Sequence, residues 1–290
     1  MVQVQLPRTL DFVSPDMTGN VSSSGIDPAV AARIAAEREY HEAYYARELG
    51  LKPVLFDLAE SPRRKLRNLT WAHYEVVRRH FGADLRNRRI LVVGCGLGDV
   101  ALNLARNGAL VDAFDVSPRA IDICRQRAAA NGVTQVRFFV SSCEELEVDS
   151  ESYDAVVGNM ILHHIDIPRA MEQFHRLLAP GGLGAFAEWK EYAVVDRVRR
   201  WPLFMKIFRS GGVGGYATEH ERKLDRRDLA IIRARFPDMR LDYRYLIRGK
   251  LDYFIPPRGH LVESVDYWLL RRLPWLSPFT DGIVISFCKS

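Results

Sequence analysis

This chain of 290 residues has little cysteine, no long apolar run and no strong excess of either charge. Its four cysteines, Cys95, Cys124, Cys143 and Cys288, are scattered without a CxxC pair. That spacing argues against a disulfide framework or a zinc site and suits a reducing, cytoplasmic setting; no metal is expected. No apolar stretch approaches the roughly 20 residues of a spanning helix, and the N-terminus lacks the basic start and apolar core of a signal peptide. A net charge of +5 permits an acidic partner or peripheral contact with an anionic membrane and requires neither. With 48% hydrophobic and 27% charged residues, the chain has the composition of a globular protein able to bury one large core.

What is present centres on one stretch. The apolar run Ile90-Leu91-Val92-Val93 leads into Gly94-Cys95-Gly96-Leu97-Gly98 and then into a helix from Asp99. Alternating glycines let the backbone turn sharply and lie close against a ligand. A dinucleotide fingerprint places its third glycine one position later, with a pyrophosphate on the helix N-terminus. Asp99 stands there instead, and its carboxylate disfavours a pyrophosphate while tolerating a cationic ligand. A second apolar run, Leu110-Val111-Asp112-Ala113-Phe114, ends in Asp115, 21 residues after Gly94. An acidic residue about 20 positions past the turn, at the tip of the second strand, can accept hydrogen bonds from both ribose hydroxyls. Asp112 is expected at a surface or edge.

From Arg88 onward strands and helices alternate, the pattern of a parallel sheet covered on both faces. Strands are expected at 90–93, 110–115, 135–141, 153–158, 182–188, 240–248 and 283–288, with a turn over 178–182. Helices are expected at 99–107, 118–130 and 168–178, and from Asp225 to Phe236, where Asp225 and Asp228 suit a capping box. Upstream, Asp27-Pro28 and Ser61-Pro62 open two helices that stop at Gly50 and Gly82. Trp71, Tyr74 and Val77 form a stripe suited to core packing. Late in the chain, Leu261, Val265, Trp268, Leu269 and Arg272 fall on an amphipathic helix ending near Pro274.

The order of motifs resembles the class I S-adenosylmethionine-dependent methyltransferases that act on small molecules and lipids. The residues that carry this are 92–99 (VVGCGLGD), 114–118 (FDVSP), 153–157 (YDAVV), 160–165 (MILHHI) and 176–182 (RLLAPGG). The likeness covers residues 88–190 well and the flanks poorly. It implies a Rossmann-like α/β fold, with a seven-stranded, mostly parallel sheet, an N-terminal helical lid and C-terminal cap insertions. The organisation implied is a flexible tail over 1–25, the lid over 26–87 and the methyltransferase domain over 88–290, with cap segments at 190–222 and 250–280. The implied cofactor is S-adenosyl-L-methionine, released as S-adenosyl-L-homocysteine. By position, Gly94, Cys95, Gly96 and Gly98 approach its methionine part, Asp115 its ribose and Val116 its adenine. Ser142, beside Cys143, stands where an adenine-binding Asp is usual, leaving a neutral hydroxyl. Asn159 and Met160 fall beside the transferred methyl group, and Tyr45 belongs to a tyrosine cluster that could close over the cofactor.

For the acceptor, His163 is the candidate base, and His163, Glu188, Trp189 and Tyr216 are the candidate substrate contacts. The activity expected is methyl transfer to oxygen first, or to nitrogen or carbon, of a small, fairly apolar, lipid-like metabolite, with natural-product metabolism as one setting. The arginine groups are dispersed among acidic residues and show no RNA-binding motif, which argues against a nucleic-acid partner. Two other readings stay open: an RNA-modifying methyltransferase and a non-catalytic cofactor-binding protein.

Overall fold

The computed structural model describes residues 27–45, 69–146, 148–190, 223–247 and 259–290. The expected tail over 1–25, the cap over 190–222 apart from Lys190, Tyr216, the first residues of the cap over 250–280, the helix stop at Gly50 and the helix start at Ser61-Pro62 lie outside the described residues. Seven strands form one sheet: β1 (Arg89–Val93), β2 (Leu110–Asp115), β3 (Val136–Val140), β4 (Tyr153–Asn159), β5 (Leu178–Trp189), β6 (Arg240–Arg244) and β7 (Gly282–Cys288). Their order is β3-β2-β1-β4-β5-β7-β6, and only β7 runs antiparallel, against both β5 and β6. This is the Rossmann-like, mostly parallel seven-stranded sheet that the resemblance implies.

Helices α3 (Asp99–Arg106), α4 (Pro118–Ala130) and α5 (Ile167–Leu177) connect the parallel strands. The starts of α4 and α5 are written in short polar residues. The Ser117 hydroxyl accepts the Ala120 N–H at 3.0 Å, with Pro118 in the first turn. Asp166 caps α5 through the Arg169 N–H, and Asp225 and Asp228 form the expected capping box of α6 (Arg226–Arg235). Helices α1 (Pro28–Tyr45), α2 (Leu69–Phe81) and α7 (Gly259–Arg272) complete the frame, followed by a 3₁₀ turn at Pro274–Phe279.

Because helices cover both faces, β1 is buried from Ile90 to Val93. On one face Tyr74 and Val77 of α2 join Val92, Leu102 and Ile121, so the helical stripe packs on the core. On the other, Phe174, Phe186, Phe236 and Phe287 stack with centroids 3.9–6.0 Å apart. Fully burying such a side chain stabilises the fold by roughly 1.5–3 kcal/mol.

Four details depart from expectation. Strand β5 starts at Leu178, four residues early, because Leu178 pairs with Tyr153 before a register shift absorbs the Pro-Gly-Gly step. Strand β6 stops at Arg244, because Tyr245 adopts a left-handed backbone (φ 61°) that lets its hydroxyl accept the Leu69 N–H at 3.0 Å. Asp112 is buried, taking hydrogen bonds from Arg137 and the Tyr153 hydroxyl, each at 2.7 Å. Helix α7 turns Glu263 and Asp266 inward and leaves Val265 and Trp268 exposed.

Candidate active site

Strand order reverses between β1 and β4, and the carboxyl ends of the strands there form the crevice where open α/β sheets bind ligands. The turn from Gly94 to Gly98 crosses this edge. All three glycines are left-handed, with φ of 59°, 51° and 83°. A Cβ on Gly94 would lie 2.3 Å from Ile161 Cδ1, and one on Gly98 would lie 2.9 Å from Cys124 Sγ. The turn is thus fixed by backbone conformation and by close packing from two neighbouring elements. Cys124, which the motif reading passed over, also donates its thiol to the Gly96 carbonyl at 3.1 Å.

Asp115 stands at the tip of β2 beside this turn. One carboxylate oxygen accepts the Gly96 N–H at 2.9 Å and the other the Ser117 N–H at 3.0 Å. Burial pushes its carboxyl above the ordinary range, while the backbone hydrogen bonds oppose that shift. Each carboxylate oxygen has a second lone-pair site, so two hydroxyls of a sugar can still be accepted. Asp99 has a different partner. Its carboxylate takes the Arg127 Nη2 at 2.8 Å, and Arg127 also binds the Leu97 carbonyl. The expected repulsion of a pyrophosphate is therefore partly neutralised, and Asp99 serves chiefly to tie the turn to α4.

Helix α1 lies across the same edge. Its Arg33 binds Glu144 and the His164 carbonyl, and its Arg38 donates to the Val116 carbonyl at 3.0 Å. Its Glu42 accepts from the Ser117 hydroxyl and the Arg119 N–H. Glu37, His41 and His164 meet within 4.8 Å, and among the described residues theirs is the one grouping of donors able to hold a metal ion. Tyr45 ends the helix with its hydroxyl 3.1 Å from the place of a Cβ on Gly96. Burial first, and then Asp115, push its phenol well above the usual range.

Between α1 and the strand tips lies a cavity of about 50 Å³. Arg33, Glu37 and His41 line one side; Gly94, Asp115, Val116, Ser142, Cys143 and His164 line the other. Ligand pockets usually run from about 300 Å³ upward, so the helix closes this one.

On the far side of the turn Glu188 is fully buried at the end of β5. Its Oε1 accepts the N–H groups of Ile161 and Leu162 at 2.8 and 2.7 Å, and its Oε2 lies 2.7 Å from His163 Nδ1. Glu188 thus organises the loop that carries His163. Asn159 is at the tip of β4, and its buried Oδ1 has no hydrogen-bond partner among the described residues. Met160 is left-handed (φ 55°) and anchored to the Ala187 carbonyl. Trp189 is 39% exposed and faces Tyr245. The structure gathers Gly94, Asp115, Val116, Ser142 and Cys143 around one cavity and Glu188 with His163 around another point of the same edge. Arg33, Glu37, His41 and Glu144 are additions; the i,i+4 spacing of Glu37 and His41 is their visible trace in the sequence.

Comparison with known proteins bears on this geometry. The family described as methyltransferase domain matches residues 90–182, the segment holding the turn, Asp115 and the His163 loop. Residues 90–182 are thus similar to a methyltransferase domain. Among curated relatives of this chain, a ubiquinone biosynthesis O-methyltransferase of Methylocella silvestris is 34% identical over 123 residues, covering 41% of this chain and 48% of that protein. One from Xanthomonas oryzae pv. oryzae is 35% identical over 126 residues, covering 43% and 52%. The chain spans about half the length of the curated relatives it matches. Among solved structures, geranyl diphosphate C-methyltransferase of Streptomyces coelicolor A3(2) superposes with a TM-score of 0.52 at 16% identity, covering 88% of this chain and 98% of that one. Phosphoethanolamine N-methyltransferase 2 of Haemonchus contortus gives 0.51 at 15%, covering 75% and 52%. These two likenesses concern the fold.

Proposed function

We propose that this methyltransferase moves the methyl group of S-adenosylmethionine to a nucleophilic atom, oxygen first, of a small and fairly apolar metabolite. The observation that carries this reading is the joint placement of Asp115 and the glycine turn. A carboxylate positioned for a ribose is locked to Gly96 of the turn that would lie along the methionine part. Val116, Ser142 and Cys143 would border the adenine, and Asn159 and Met160 the methyl group. Two proteins of this fold have been solved in complex with S-adenosylmethionine or S-adenosylhomocysteine, and the relatives that are O-methyltransferases favour oxygen.

Transfer from a sulfonium is an in-line displacement, for which alignment of the reactants alone can be worth about 7–11 kcal/mol. An acceptor hydroxyl also has to lose a proton. With Glu188 accepting the Nδ1 proton of His163, Nε2 becomes the nitrogen that receives it. Glu188 acts through His163 and positions it. Trp189 and Tyr216 remain proposed acceptor contacts. The RNA reading is weakened because several arginines are committed inside the fold: Arg127 to Asp99, Arg176 to the Leu146 and Val148 carbonyls, and Arg244 to Asp242 and Glu75. Among the described residues no helix is long and apolar enough to cross a membrane.

The test is methyl transfer from labelled S-adenosylmethionine to a panel of phenolic, amine and isoprenoid acceptors. Labelled product from a phenol supports the reading. Cofactor binding without product on any acceptor would favour a non-catalytic role.

A further inference from the structure

Among the described residues, seven large apolar side chains are exposed, and five of them lie between positions 265 and 279: Val265, Trp268, Leu273, Trp275 and Phe279. Trp268 is 54% and Trp275 66% exposed. Such clustering within one helix and the turn that follows it is unusual for a surface that meets only water. Two cations accompany the aromatics. Arg272 stands 5.3 Å from the Trp268 ring centroid, and Arg271 donates to the Tyr267 hydroxyl at 3.0 Å. Both arginines are exposed, and no carboxylate between 262 and 279 is exposed with them. Glu263 and Asp266 are buried, and Asp266 accepts the Ile247 N–H at 2.9 Å. The exposed side chains of this segment are therefore apolar, aromatic or cationic, with no exposed carboxylate among them.

We propose that the face built by α7 and the turn Pro274–Phe279 docks on an anionic phospholipid surface. Tryptophan rings are suited to the headgroup region, with an apolar body and one N–H donor. Arginines beside them meet lipid phosphates. Self-association through this face is disfavoured, because the same segment of a second copy offers no exposed carboxylate to pair with Arg271 and Arg272. The place of the face matters as well. Lys190, directly after the tip of β5, donates to the Ser277 carbonyl at 3.3 Å. The docking face thus adjoins the sheet edge that carries Glu188 and Trp189, and a membrane-dissolved acceptor could pass between them. This last step rests on the proposed function; the docking itself does not.

The experiment is co-sedimentation of the full chain, without cofactor or acceptor, with phosphatidylcholine vesicles and with vesicles that also contain phosphatidylglycerol. Binding is expected only to the anionic vesicles, weakening as salt is raised. The R271E/R272E variant should bind at least about tenfold more weakly. W268S/W275S should lose the blue-shifted tryptophan emission seen on binding. Circular dichroism checks that both variants fold, and binding by unfolded variants is not scored. Should one variant misfold, R271Q/R272Q or W268Q/W275Q replaces it. Absence of wild-type binding, or equal binding by both folded variants, would overturn the proposal. So would a dimer that W268S/W275S dissolves. Failure of methyl transfer on every acceptor would count against the proposed function alone.

Discussion

Oε2 of Glu188 lies 2.7 Å from Nδ1 of His163, while Oε1 of the same carboxylate holds the Ile161 and Leu162 N–H groups. One buried side chain therefore sets both the path of the loop and the tautomer of the imidazole. In Glu188→Gln the amide oxygen satisfies the two backbone donors and its NH₂ faces Nδ1, which reverses the tautomer. Turnover should fall by about 100-fold or more, the range expected for loss of a general base, with cofactor affinity unchanged. His163→Ala should behave alike. Steady-state kinetics and calorimetry on both variants check this, and near-normal turnover in His163→Ala would remove it from the mechanism.

Helix α1 is held over the cavity at the strand tips by Arg33 on Glu144 and by Glu42 on Ser117. The cavity of about 50 Å³ beneath it is small for an adenosyl ligand, which predicts that α1 shifts on binding. Arg33→Ala should raise the association rate of S-adenosylhomocysteine in stopped-flow fluorescence. Hydrogen exchange of α1 should slow once ligand is bound. An unchanged association rate would show that the helix does not gate entry.

Gly94→Ala combines a left-handed backbone with a Cβ 2.3 Å from Ile161 Cδ1. A cost of about 1–3 kcal/mol is expected for such strain and overpacking, measured as a lowered denaturation midpoint. Adding Ile161→Ala should recover the steric part and leave the backbone part. No recovery in the double variant would place the whole cost in the backbone.

His73 on α2 is fully buried, and neither ring nitrogen has a hydrogen-bond partner among the described residues. Burial lowers its pKa to about 3. Unfolded chains take up this proton near pH 6.5, whereas the folded protein stays neutral until about pH 3. Its contribution is therefore fully present above pH 6.5 and is lost as pH falls, at up to about 1.4 kcal/mol per pH unit in that window. His73→Leu should flatten the acid limb of stability measured by urea unfolding between pH 7 and pH 4. An acid limb as steep as the wild type would assign the loss to other groups.

Much of the fold was legible because its signals are local. Apolar runs bounded by glycine, and Ser-Pro or Asp caps, mark most of the strands and helices from Arg89 to Leu177. The late start assigned to β5 arose because Pro180 and Gly181 read as a turn, whereas pairing of Leu178 with Tyr153 is a long-range fact. The same holds for Asp112, whose partners Arg137 and Tyr153 lie 25 and 41 residues away. In the candidate site, motif residues such as Gly94 and Asp115 were readable from spacing. The work of Arg33, Cys124 and Glu188 was not, since each acts on a backbone or side chain brought near only by the closed sheet. For α7 a helical stripe was visible, but not that Glu263 and Asp266 point inward.

The ribose assignment of Asp115 carries the account, and calorimetric titration with S-adenosylhomocysteine tests it most directly. Each charge-assisted hydrogen bond lost is worth about 1.5–3 kcal/mol, so Asp115→Ala should bind at least about tenfold more weakly than the wild type. Circular dichroism should show the same fold in both. Equal affinity in the two proteins, or no binding by the wild type, would contradict the account.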